Sequence, residues 1–131
     1  MDFKVFEDQS SYKRVNLENR LIDFALKVRE LIHLLPNDEF TRNLKGQLTR
    51  SSTSPSFNYG EAQSAESRKD FVHKMGICLK ELRETMVGLK FIIRGDYSVP
   101  GELMEFLTSE NDELIAIFVK SIETARKNMN P

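Results

Sequence analysis

Ser67-Arg68-Lys69-Asp70-Phe71-Val72-His73-Lys74-Met75-Gly76-Ile77-Cys78-Leu79-Lys80-Glu81-Leu82-Arg83-Glu84-Thr85-Met86-Val87-Gly88-Leu89-Lys90-Phe91-Ile92-Ile93-Arg94-Gly95 is the stretch that decides the fold. It opens on Ser67 and Asp70, the form of a capping box with Asp in place of the usual Glu or Gln. Phe71, Met75, Cys78, Leu82, Met86, Leu89 and Ile93 then fall within about 80° on a wheel of roughly 100° per residue, the stripe of an amphipathic helix. Arg94 and Gly95 supply a basic last turn and a stop.

Working outward, the segment before it carries a second stripe at Phe40, Leu44, Leu48, Ser51, Pro55, Asn58 and Ala62, with Asn37-Asp38-Glu39 as cap and acidic first turn. Pro55 removes a backbone donor and crowds the preceding turn, so a kink or break is expected there, with Ser51, Ser52, Thr53 and Ser54 available to bond freed carbonyls. Earlier still, Leu17, Leu21, Phe24, Val28, Leu31 and Leu35 repeat at threes and fours between a cap at Asn16 and a stop at Pro36. After Ser98-Val99-Pro100-Gly101, a fourth stripe runs through Leu103, Leu107, Leu114, Phe118, Ile122, Ala125 and Met129, with Thr108-Ser109-Glu110-Asn111 a candidate interruption.

Four amphipathic helices with short connections predict an all-α, up-down-up-down antiparallel four-helix bundle, its second helix kinked near Pro55. Residues 1–15, with scattered Phe3, Phe6 and Tyr12, read as an N-terminal arm, and residues 16–131 as one domain.

Nineteen Lys and Arg against twenty Asp and Glu give a net charge of −1, so any attraction for nucleic acid must come from a local patch. The single cysteine, Cys78, excludes an internal disulfide framework and a thiolate zinc cluster. The acidic start lacks the apolar run of a signal peptide, and no stretch reaches the ~18 apolar residues of a membrane span. The expectation is a cytoplasmic, bacterial protein with no membrane partner.

Glu30-Leu31-Ile32-His33 and Asp70-Phe71-Val72-His73 share the acid-x-x-His spacing of di-iron bundles. His33 and His73 lie about 180° from their apolar stripes, however, and point away from the core. Cys78 sits on a core stripe as an inert buried thiol, and the serines around position 54 have no triad partners in the sequence. No catalytic residue, cofactor or metal site is predicted.

Three features remain. Arg50, Ser51, Ser54, Asn58 and Glu61 place polar residues where a core-facing helix should be apolar. They read either as a hydrogen-bond network fixing helix register or as a pocket for a ligand or partner. Lys69, Lys80, Arg83, Lys90 and Arg94 cluster within about 80° opposite the stripe of the third helix, a basic ridge suited to phosphate backbones or to an acidic protein face. Ile22, Leu26, Val72 and Val87 lie outside the core stripes and are expected at an oligomer interface.

Arg50-Ser51, Ser54, Asn58-Tyr59 and Glu61-Ala62, followed by Glu66-Ser67-Arg68-Lys69-Asp70-Phe71 and Leu79-Lys80-Glu81-Leu82-Arg83-Glu84-Thr85, resemble the bacterial four helix bundle protein family. That family includes proteins encoded within intervening sequences of large-subunit ribosomal RNA genes, and it is related to the accessory variability protein of diversity-generating retroelements. The resemblance spans roughly residues 16–128. It implies a left-handed four-helix bundle assembled as a homopentameric ring, no catalytic activity, and association with RNA or a nucleoprotein. The leading expectation is therefore a non-catalytic homo-oligomer that binds RNA through the ridge, and the alternative is a protein-protein scaffold without nucleic acid.

Overall fold

The computed structural model describes residues 11–129, with side chains from Leu17 onward. Four helices follow one another: α1 (Ser11–Leu34), α2 (Glu39–Gln63), α3 (Arg68–Arg94) and α4 (Gly101–Met129). Consecutive helices pack together and α1 also packs on α4, which closes the square of an antiparallel four-helix bundle. The first helix begins before the expected cap, because Tyr12-Lys13-Arg14-Val15 contains no helix breaker, and Asn16 lies inside it. The arm's residues 1–10, with Phe3 and Phe6, and the side chain of Tyr12 lie outside the described residues.

The helix boundaries follow local chemistry. Asp38 caps α2 by accepting from the Thr41 N–H at 3.0 Å, and those hydrogen bonds hold its carboxyl below the usual aspartate range. The Thr41 hydroxyl donates to the same carboxylate at 2.9 Å and lies 2.6 Å from the Tyr97 hydroxyl, which ties this cap to the α3–α4 connection. Ser67 caps α3 by accepting from the Asp70 N–H at 3.0 Å. At the other end of α3, the left-handed residue is Asp96 (φ 61°) rather than Gly95. Gly95 is required for space instead, since a Cβ there would lie 2.6 Å from the Tyr97 ring and 2.7 Å from the Phe91 carbonyl oxygen.

All six residues of the expected α1 stripe are buried. In α2 the helix runs unbroken through a buried Pro55. The neighbouring hydroxyls of Ser52, Thr53 and Ser56 bond carbonyls of Thr49, Arg50 and Thr53 within the same helix.

Three stripes need correction. Thr41 and Tyr59 replace Phe40 and Asn58 in α2, and Thr85 and Ile92 replace Met86 and Ile93 in α3. In α4 the Thr108–Asn111 segment does not interrupt the helix, Met104 and Asn111 join the core, and Met129 is exposed. The corrected α3 series, 71-75-78-82-85-89-92, alternates fours and threes without a slip, the seam of helices packed nearly parallel to their neighbours.

Candidate interaction surfaces

Lys69, Lys80, Arg83, Lys90 and Arg94 all lie exposed on the outer face of α3. Among the described residues, none of the five forms an ion pair, so their charge is open to solvent. Val87 stands among them at 54% exposure, whereas Val72 is half-buried and packs against the core.

Beside the ridge, α2 and α3 leave a groove of about 910 Å³. Its rim carries Phe40, Val87 and Phe91, each large, apolar and about half or more exposed. Phe40 and Phe91 meet edge to face across the groove, their ring centroids 6.2 Å apart. Glu39, Glu81 and Glu84 line it against a single Arg50. Partial burial, then the charge and hydrogen bond of Glu84, push the Glu81 carboxyl above its usual pKa. Gly88 and Leu48 both line it, and they lie so close that a Cβ on Gly88 would come within 2.5 Å of the Leu48 Cδ2. The sequence pattern missed this site by placing Phe40 in the core. The available signal was Val87 and Phe91 at i, i+4 outside the stripe.

On another side of the bundle, Ile22 and Leu26 are 42% and 45% exposed. Arg29 and His33 are also exposed, and the spacing 22-26-29-33 puts all four on one face of α1. Leu26, Arg29, His33 and Phe106 of α4 share a shallow depression between α1 and α4. Below it, Arg20 bonds both oxygens of Glu110 at 3.0 and 2.8 Å and reaches Glu113 at 3.2 Å. Those contacts hold the Arg20 pKa above its ordinary value.

The polar seam is not one constellation. Arg50 and Glu61 are exposed rather than core-facing, because the helix turns Ser51, Ser52 and Ala62 inward in their place. Asn58 is half-buried and donates to the Ser54 carbonyl and hydroxyl, while Glu61 accepts from Lys74 at 3.0 Å and raises the lysine's pKa. The buried polar contact is a different one, in which Thr85 donates to Ser51 at 2.8 Å. Asn111 donates to the Leu82 carbonyl one helix away at 3.0 Å.

Cys78 is fully buried, its thiol directed at the Pro55 carbonyl at 3.4 Å and its pKa pushed up to about 12 by burial. His33 and His73 face outward as expected, and no group of metal-ligating side chains occurs among the described residues. No described helix is long and apolar enough to cross a membrane.

The family described as 23S rRNA-intervening sequence protein matches residues 13–120. The chain belongs to that family. A solved structure similar to this 23S rRNA-intervening sequence family chain is a protein with unknown function from the S23 ribosomal protein family of Bacteroides thetaiotaomicron. The two are 30% identical with a TM-score of 0.73, over 81% of this chain and 97% of the other. No curated protein matches. The family match bears out the resemblance read from the motifs around Arg50–Ala62 and Glu66–Phe71, the solved relative shares the fold, and neither description names an enzymatic activity.

Proposed function

We propose that the protein is a non-catalytic, cytoplasmic homo-oligomer, a pentamer, that engages RNA or a nucleoprotein through the α3 ridge. The observation that carries this reading is the ridge itself: five cations on one helix face, all exposed and none neutralised by an ion pair among the described residues. Phosphate binding releases counterions, so five such contacts on a single strand give a slope of log affinity on log salt of about −3.5. The reference to 23S rRNA in the family description supports the choice of RNA as ligand. The test is binding of a structured-RNA pool at low and moderate salt by the Lys80→Glu, Arg83→Glu, Lys90→Glu variant. Loss of salt-sensitive binding is expected, and unchanged binding overturns the ridge as the site.

A second reading, a protein scaffold without nucleic acid, is favoured by the net charge of −1 and by the exposed Phe40, Val87 and Phe91 beside the ridge. Under it, wild-type protein ignores RNA at every salt concentration, and the triple variant alters the oligomer instead.

A further inference from the structure

We propose that the outer stripe of α1 in one copy, Ile22-Leu26-Arg29-His33, docks in the α2–α3 groove of a second copy. The inference rests on the self-association proposed above and names the two surfaces that make it.

The groove and the stripe each leave apolar side chains uncovered, and they match in length. Residues 22 to 33 of a helix span about 16 Å and residues 81 to 91 about 15 Å, at 1.5 Å per residue. The stripe therefore runs the length of the groove wall offered by α3. Ile22 and Leu26 are apolar knobs on a single helix face, and the Phe40, Val87 and Phe91 rim is the apolar surface that would cover them. A helix seated in an apolar groove through anchors at i, i+4 and i+7 is a recurring mode of recognition.

Charge gives the match a direction. The groove holds Glu39, Glu81 and Glu84 against Arg50, and the stripe brings the Arg29 guanidinium, with Asp23 and a Lys27–Glu30 pair lying beside it. Among the described residues Arg29, Glu39 and Glu84 form no ion pair within their own copy. Partial burial and then the neighbouring Glu84 disfavour the charged form of Glu81, which an incoming cation would favour. Complementary charge of this kind also speeds encounter and rejects like-charged alternatives.

The two surfaces lie on different sides of the bundle, with α1 diagonal to α3. A copy cannot satisfy its own groove, and the contact joins unlike surfaces. Every added copy leaves one stripe and one groove open until the chain of subunits closes into a ring. None of the five ridge cations lines the groove, although Val87, which stands among them, is part of its rim.

The test uses light scattering after size exclusion on wild type, Leu26→Glu and Phe91→Glu, both sites being exposed enough for the fold to survive, with helical content checked by circular dichroism. Wild type is expected to be an oligomer and each variant a monomer. An equimolar mixture should give a dimer and nothing larger, because the intact groove of the Leu26→Glu chain accepts the intact stripe of the Phe91→Glu chain. Folded variants that remain oligomeric, or monomeric variants that fail to pair on mixing, overturn this contact while leaving self-association standing. A monomeric wild type at high concentration overturns self-association itself.

Discussion

Between α2 and α3 the contact is made by small residues, whereas between α1 and α4 it is bridged at the surface by long ones. Gly88 leaves Leu48 so close that no Cβ fits, Ser51 and Thr85 bond hydroxyl to hydroxyl, and the Cys78 thiol reaches the Pro55 carbonyl. On the opposite flank, Arg20 spans to Glu110 and Glu113 with a flexible side chain. A contact built on close approach fails when volume changes, and one built on a long bidentate pair fails when charge or salt changes. The same bundle thus has a stiff side that carries the groove and a compliant side that closes the square.

The largest effects are expected on the stiff side. Leu48→Ala empties a core position and should cost about 2–5 kcal/mol. Gly88→Leu overfills the same spot and should cost about 1–3 kcal/mol. If close packing is the cause, the double variant regains part of the loss, since the new leucine enters the space the old one leaves. Strict additivity in urea denaturation would show that Gly88 and Leu48 do not share that space.

Next in size is the hydroxyl pair. Thr85→Val leaves the Ser51 oxygen buried without its donor and should cost about 1–3 kcal/mol. Adding Ser51→Ala removes the orphaned group and should recover most of that in thermal melts. A double variant worse than Thr85→Val alone would mean that the seam needs these hydroxyls for something beyond their mutual bond.

These polar seam residues also explain what the sequence could and could not disclose. The α1 series from Leu17 to Leu35 was legible because every seam position is apolar. In α3 the seam passes through Thr85, and a search for the nearest apolar residue moves to Met86 and then to Ile93, one residue out of register. Asn111 hides α4's seam in the same way and made a continuous helix look interrupted. In α2 the seam opens on the polar Thr41, and a search for the nearest apolar residue moves to Phe40, so one ring of the groove's aromatic rim was taken for core. A strict alternation of threes and fours, applied without regard to polarity, recovers most of these positions, because packing geometry rather than residue type sets the repeat. The ridge needed no such correction, since charged residues opposite a stripe are exposed whichever neighbouring register is chosen.

On the compliant side the effect is smaller and sensitive to salt. Arg20 and Glu110 keep only 21% and 16% of their side-chain surface exposed, so their coupling should approach about 1 kcal/mol, at the upper end for surface pairs. A cycle of Arg20→Ala and Glu110→Ala in low salt reads this value, and it should shrink as salt rises. A coupling that ignores salt would indicate that packing of the arginine stem, rather than charge, bridges α1 and α4.

The smallest effect returns to the groove, where like charges meet instead of opposite ones. Glu81 has a folded-state pKa above the ordinary glutamate value of 4.5, through partial burial and then through Glu84. A carboxyl raised on folding contributes stability that is fully present below the unfolded pKa and lost as pH rises through the folded value. Glu81→Gln removes that loss, so it should leave the melting temperature unchanged at pH 4 and raise it slightly at pH 7. The gain should stay below about 0.5 kcal/mol because solvent screens a partly exposed group. Because Glu84 is among the causes, the gain should diminish in a Glu84→Gln background. A gain that persists there in full would assign the shift to burial alone and remove repulsion as a distinguishing feature of the α2–α3 side.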